Sequence, residues 1–449
     1  MSGRKWSSDP IIQEDLERIA DSEIIDWEAL RGKRILVTGA TGLIGSIVAC
    51  SLICASVKRS MDIRVAALVR SPEKAKGMLG AFLNDGLELV VGDILSPLAV
   101  DGPVDYILHG ASVTTSKDFV DHPVETILTT LKGTEHLLEL ARQKQVKGMV
   151  YLSSMEAYGE PDPRDYVELQ KESDRGEFLG KRQTRYDSEQ NAQDWLTGVV
   201  PVGSSAQAGG SENNLARNES VQKDASATAA DGNAQTGSTQ AKRAQIGSTE
   251  IRSTQPGHKA AILRETNYGY IDPLKVRSSY SEGKRMAEGL CAAYAQEYHV
   301  PVKVARLAQT FGAGIPKTEN RVFAQFAHSI MEGTDIVLHT DGSKAHCYCY
   351  TTDAVLGLLT ILLRGENGEA YNVSNEETYS TIRGMAEMLV EKYPQSGSSL
   401  VFDIPEDANQ YGYAPTSQML ICSEKLRKLG WKAQVGLPEM FERLMRSME

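Results

Sequence analysis

The stretch "RILVTGATGLIGS" (Arg34 to Ser46) limits the fold more than any other part of the chain. An apolar run ends in glycines at 39, 42 and 45, and a helix-forming segment follows. Gly39 permits a tight turn, Gly42 lets backbone approach a pyrophosphate, and Gly45 lets the helix pack on the strand. The phosphates then meet the positive end of the helix. Glycines also mark plain turns, so the strand before and the helix after carry the inference. The expected phosphate cradle is Gly39, Thr41, Gly42, Leu43, Ile44 and Gly45.

Residues 34–160 alternate short apolar runs with helical patterns. "RILVTG", "IRVAALVR", "LELVVGD", "DYILHGAS" and "GMVYLSS" read as buried parallel strands. "SIVACSLICASVK" and "ETILTTLKGTEHLLELARQ" supply crossover helices. This predicts an α/β fold: a Rossmann-type doubly wound parallel sheet. From 163 to 258 the chain turns rich in Ser, Gly, Ala, Gln, Asn and Thr, which reads as a disordered insertion. The fold resumes at "ILRETNYGYIDP". The expected division is a helical extension (1–30), the dinucleotide-binding part (31–162), the insertion (163–258), and a continuation bearing Tyr280 and Lys284 (259–312). A smaller substrate-binding portion (313–449) follows, with a strand and helix near 346–363 returning to the main sheet. In the extension, Asp9 as N-cap and Pro10 open an amphipathic helix with Ile11, Ile12, Leu16 and Ile19 on one stripe. Its acidic polar side favours docking on the protein's own body over a membrane surface.

A net charge of −11 argues against nucleic acid or an anionic membrane as partner. The N-terminus has no apolar core of a signal peptide, and glycines interrupt the long apolar run 35–57, so a cytoplasmic protein is expected. The six cysteines form no paired CxxC framework, and Cys347 and Cys349 alternate along a strand, so no metal site is expected.

In "RSSYSEGKRMAE" (Arg277 to Glu288), Tyr280 is the only tyrosine with a lysine four residues on. Residues so spaced share a helix face, and the Lys284 ammonium is expected to lower the phenol's pKa from about 10. The spacing alone decides nothing; the rest of the chain must build a site around it.

Further segments run in the order of a known family. The TGxxGxxG loop, "GDI" at 92–94, "HGAS" at 109–112, "GT" at 133–134, "YLSSMEAYG" at 151–159 and the Tyr280–Lys284 helix resemble the extended short-chain dehydrogenase/reductases. These are the NAD-dependent epimerases and dehydratases of nucleotide sugars. The resemblance implies Asp93 and Ile94 at adenine, with Gly110 and Ala111 beside the cofactor. It implies a catalytic set of Ser154, Tyr280 and Lys284: Ser154 orients the sugar hydroxyl, Tyr280 exchanges its proton, and Lys284 also holds the nicotinamide ribose. Glu156 falls where family members place a base for C5 once C4 is a ketone, whereas Met155 stands where 4,6-dehydratases carry an acid. Gln309, Arg321 and His346 fall on the substrate side. Gln309 replaces the usual asparagine, and His346 an arginine of the UDP-glucuronate decarboxylases, which the Tyr280 segment also resembles.

The second strand ends "ALVRSPEKA", with Arg70 where a carboxylate would select NAD. An arginine there pairs a 2′-phosphate, so the cofactor is NAD or NADP, with Arg70 favouring NADP. The expected function is a nucleotide-sugar epimerase or dehydratase working through a transient 4-keto sugar, as a homodimer. The alternatives are an NADP-dependent carbonyl reductase, a UDP-glucuronate decarboxylase-like enzyme, and a dinucleotide-sensing protein, which has no need of the catalytic set.

Overall fold

The computed structural model describes residues 7–169, 258–404 and 417–449. Its main sheet is built from β1 (Arg34–Thr38), β2 (Arg64–Val69), β3 (Leu87–Val91), β4 (Tyr106–His109) and β5 (Gly148–Ser154). Strands β6 (Tyr166–Leu169) and β7 (His258–Leu263) lie elsewhere, and β8 (Val302–Leu307) returns to it. A short β9 (Gln309–Phe311), then β10 (Ile336–Leu338), β11 (Ala345–Tyr350) and the main-sheet edge strand β12 (Ala370–Val373) follow. The order β12-β8-β5-β4-β1-β2-β3 is parallel throughout. Strands covered on both faces must be apolar along their length, and β1, β4, β5 and β8 are buried almost end to end.

One face of this sheet is covered by α1 (Pro10–Asp21), α2 (Leu43–Arg59) and a long apolar helix, Thr351–Arg364. The other face is covered by two helices, Pro123–Lys144 and Ser279–Tyr298, which pack on each other and on Ile107, Met149 and Val302. The N-terminal helix docks as its stripe requires. Asp9 accepts hydrogen bonds from the Ile11 and Ile12 amides at 2.8 and 3.3 Å, and Leu16 and Ile19 enter the core. Each such side chain contributes about 1.5–3 kcal/mol relative to exposure. Asp15 is also buried, held by Tyr350 Oη and Arg443 Nη2, both at 2.7 Å.

The second sheet changes the expected organisation at two points. Besides β14 (Leu400–Phe402), which pairs with β10, the remaining strands are β13 (Asn375–Thr381) and β15 (Gln418–Ile421); the second sheet's order is β13-β11-β15-β7-β6, and β9 pairs with β11. The strand at 345–350 therefore lies in this sheet and does not return to the main one; β12 does, beside β8, and the helix Thr351–Arg364 packs beneath it. The insertion also begins later than Pro163. Tyr166 and Val167 pair antiparallel with Ala261 and Ala260, so β6 and β7 bring the two sides of the break together. Pairing satisfies backbone groups that a loop would leave to water, which a composition-based boundary does not anticipate. The remainder, 170–257, lies outside the described residues.

Candidate active site

Side chains and loops converge at the carboxyl ends of the main-sheet strands, where strand order reverses between β1 and β4. Gly39 takes φ +70°, and a Cβ there would lie 2.8 Å from the Gly110 carbonyl carbon. A Cβ on Gly45 would lie 2.2 Å from the Gly39 carbonyl oxygen. Gly42 caps α2 and brings no side chain to the helix's first amides, which face outward with Thr41, Leu43 and Ile44 around them. This cradle fits a dinucleotide pyrophosphate: close backbone approach, a helix N-terminus and no bulk in the way. Gly110 and Ala111 line the same crevice, and Thr38 Oγ1 accepts from the Ala111 amide at 3.1 Å.

Asp93 and Ile94 follow β3, and Arg70 follows β2 with its side chain exposed. Asp93 turns its carboxylate onto the Leu95 amide at 2.9 Å. A Cβ on Gly133 would lie 2.5 Å from Ile94 Cδ1, so that glycine lets its helix reach the loop. His109 sits beneath, buried, with one ring nitrogen 2.7 Å from Thr38 Oγ1 and the other 3.3 Å from Thr134 Oγ1. Burial, then the nearby Lys284 charge, pushes its pKa down to about 3, so the ring is neutral.

Ser154, Tyr280 and Lys284 come together despite the sequence distance. Ser154 ends β5, its hydroxyl accepts from the Glu156 amide at 3.2 Å, and it lies near enough to the Tyr280 phenol to pull that group's pKa down. The Tyr280 ring stacks on Phe119 at 4.3 Å and 10°, which fixes its plane. Lys284 is buried, donates to the Leu152 carbonyl at 2.8 Å and lies 5.7 Å from the Tyr280 ring centre. The expected depression of the phenol's pKa is overturned in this arrangement. Burial raises it to about 12, outweighing the pull of Ser154 and the charges of Arg277 and Arg321. Lys284 pays the same desolvation: burial pulls it down to about 8 against the opposing pull of Glu288.

Behind these groups lies an ion pair that the sequence reading missed. Arg306 and Glu288 are both buried, with Nη2 to Oε2 at 2.7 Å. Ser153 Oγ donates to Glu288 at 2.5 Å, and the guanidinium lies 4.8 and 5.0 Å from the Tyr158 and Tyr268 ring centres. The pair thus ties β5, the turn at 155–158 and the Tyr280 helix into one rigid block. Glu288 is four residues past Lys284, the spacing that could have exposed it.

Glu156 does not stand open. Arg277 donates to it from Nη1 and Nη2 at 3.3 and 3.2 Å, and Ser281 Oγ donates at 3.1 Å. Arg277 also covers the Phe119 ring at 4.9 Å. It sits one turn before Tyr280, a position that was legible but unused. Met155 is buried among Tyr158, Ala261, Leu263 and Met419, away from any acid role. Arg321 is near enough for its charge to act on Tyr280, and it pairs with Glu319 at 2.7 Å. Gln309 is half-buried on β9 opposite Tyr348. His346 is buried, its Nδ1 has no hydrogen-bond partner among the described residues, and burial holds its pKa down to about 3, so it is a neutral ring and not a stand-in for an arginine's charge.

Comparison with known proteins agrees with this geometry. UDP-glucuronic acid decarboxylase 1 of Danio rerio is 23% identical over 408 residues, covering 91% of this chain and 70% of that protein. UDP-glucuronic acid decarboxylase 6 of Arabidopsis thaliana is 23% identical over 414 residues, covering 91% and 88%. A dTDP-glucose 4,6-dehydratase of Streptomyces venezuelae, solved with NAD bound, superposes with a TM-score of 0.58 at 18% identity, covering 92% of this chain and 96% of that one. Among the described residues, no helix is long and apolar enough to cross a membrane. The sequence profile of the NAD dependent epimerase/dehydratase family matches residues 35–200 and 225–374, and the chain belongs to that family.

Proposed function

We propose that the protein transforms a nucleotide-diphosphate sugar through a transient ketone at C4. The observation that carries this is the convergence of Ser154, Tyr280 and Lys284 at the end of β5, on the same end of the sheet as the glycine cradle. The cradle residues 39–45 would hold the cofactor's pyrophosphate, Asp93 and Ile94 its adenine, and Tyr280 and Lys284 its nicotinamide ribose. A nicotinamide dinucleotide held there would supply reversible hydride transfer at C4. Ser154 orients the C4 hydroxyl, and Tyr280 takes and later restores its proton. A phenol held near 12 needs help to do so, which an ammonium brought close to its oxygen would give.

Several reactions start from a 4-keto sugar. Elimination at C6 is poorly supported, since Met155 is apolar and buried where an acid would stand. Decarboxylation gains support from the two relatives named above, and epimerisation needs only the shared catalytic set. Arg70 at the end of β2 favours NADP over NAD. Exposed Val124, Leu128 and Met286 on the two paired helices suit a second copy of the chain, to be checked by light scattering. The direct test is incubation with UDP-, dTDP-, GDP- and CDP-sugars followed by product mass and NMR. An epimerase leaves mass unchanged, a dehydratase removes water and a decarboxylase removes carbon dioxide. A stoichiometric demand for reduced cofactor with every sugar would support the carbonyl-reductase alternative instead.

A further inference from the structure

Three consecutive residues of β5 address one face of the helix Ser279–Tyr298. The Leu152 carbonyl accepts from Lys284 Nζ at 2.8 Å, Ser153 Oγ donates to Glu288 at 2.5 Å, and Ser154 lies near Tyr280. Tyr280, Lys284 and Glu288 are spaced by four, so they form one stripe of that helix. The neighbouring strand completes the contact. Arg306 of β8 is the register partner of Ser153, so both reach Glu288 from the same sheet face. Its Nε and Nη2 donate to the two carboxylate oxygens, at 3.1 and 2.7 Å. Glu288 is thus fixed from two strands, one helical turn beyond Lys284.

The other groups around Lys284 carry no negative charge. His109 on β4 is neutral, and the ammonium lies 4.9 Å from the ring centre of Tyr151 on β5. Burial holds Tyr151, Tyr280 and Cys291 above their ordinary values, so each keeps its proton near neutral pH. The helix Pro123–Lys144 brings Thr130 against Gly283 and Thr134 onto His109. Glu156 is taken up by Arg277 and Ser281, and Arg306 is a further cation. Burial has already drawn Lys284 down to about 8. A desolvated ammonium with no carboxylate at hand reverts to the neutral amine, and a neutral amine cannot favour a phenolate.

We propose that Glu288 is a positioning residue for catalysis, held by Ser153 and Arg306 as the buried countercharge that keeps the Lys284 side chain an ammonium beside Tyr280. This rests on the acid–base role given to Tyr280 and Lys284 above. The carboxylate serves two cations, Arg306 by direct contact and Lys284 one turn away on the same helix face. The buried pair is then more than a brace between strand and helix, because removing its anion changes the protonation of a neighbour in the site.

The test is the titration of the Lys284 side chain in the full-length protein, followed by NMR of lysines isotope-labelled at Cε. Lys284→Arg identifies the resonance and separates it from Lys303, which burial also brings to about 8. Glu288→Gln keeps the shape and loses the charge, and should lower the Lys284 midpoint by about one to three pH units. Glu288→Asp keeps the charge and should restore most of the wild-type midpoint. Should the buried Arg306 left by Glu288→Gln prevent folding, Glu288→Leu/Arg306→Met removes both charges. It should still lower the midpoint, since Glu288 and not Arg306 shares the Lys284 helix face. With a sugar nucleotide that is turned over, the loss of kcat/KM as pH rises should move to lower pH with the midpoint. A Lys284 midpoint unchanged in the folded variants, or lowered equally by Asp and Gln, overturns the proposal. So does a rate profile that does not follow the midpoint. The NMR titration needs no substrate, so it stands apart from the nucleotide-sugar reading, which falls only if no sugar nucleotide is converted.

Discussion

The proposed cofactor cradle and the proposed substrate wall are built on opposite principles. The cradle is backbone shape: Gly39, Gly42, Gly45 and Gly110 lie within one strand–turn–helix unit and its neighbour strand, with little charge. The wall is side-chain charge, drawn from three separated segments: Ser154 to Glu156, Arg277 to Lys284, and Arg321. A cradle of this kind fails by a misplaced atom. A wall of this kind fails by a missing charge or proton. The two should therefore respond to different substitutions.

The sharpest separation is expected at Tyr280. Tyr280→Phe should lower kcat by about 10²–10⁴ while NAD affinity, followed by fluorescence quenching, stays near wild type. Wild-type turnover would remove Tyr280 from the chemistry. The ion pair behind the wall comes next. Arg306→Met leaves Glu288 buried and unpaired and should cost about 3–5 kcal/mol in urea unfolding. The double variant Glu288→Leu/Arg306→Met should recover most of that loss, and no recovery would show that neighbours other than the pair dominate.

On the cradle side, Gly45→Ala places a methyl 2.2 Å from the Gly39 carbonyl oxygen and should cost about 1–3 kcal/mol with weaker cofactor binding. Ser154→Ala should do the reverse, sparing cofactor affinity and lowering kcat. Parallel losses of both properties in both variants would break the distinction between the two sides.

An effect seen only in acid comes from the two neutral histidines. His109 and His346 are held near pKa 3 in the fold against an ordinary 6.5. Above pH 6.5 both states are neutral and no stability changes. Between 6.5 and 3 the unfolded chain takes up protons the folded chain refuses, so stability falls as pH drops, by at most about 1.4 kcal/mol per pH unit for each ring. Melting curves from pH 7 to 4 should flatten in the His109→Asn/His346→Asn variant. The smallest change belongs to Arg70→Ala, which should raise KM for NADP and leave KM for NAD alone; a wild-type preference for NAD would already refute the Arg70 argument.

The same contrast explains what the sequence reveals. Gly39, Gly42 and Gly45 were legible because turn, approach and packing are set within seven residues. The Tyr280–Lys284 pair was legible as a shared helix face, and its meeting with Ser154 only through family order. The clamp of Arg277 on Glu156 was not, because it depends on which loops meet there. The Arg306–Glu288 pair was hidden for the same reason, since its partners lie 18 residues apart on a helix and a strand. Strand 345–350 looked like a return to the main sheet because burial alone does not say which sheet does the burying.

The central claim is that hydride leaves C4 and returns to the same sugar. The measurement closest to it supplies the sugar nucleotide that is turned over with deuterium at C4, a substoichiometric amount of NAD(P) and the purified full-length chain. Mass spectrometry and NMR of the product should show the deuterium retained in the sugar through many turnovers per cofactor. Product lacking deuterium, with one reduced cofactor formed for each sugar converted, would contradict the account.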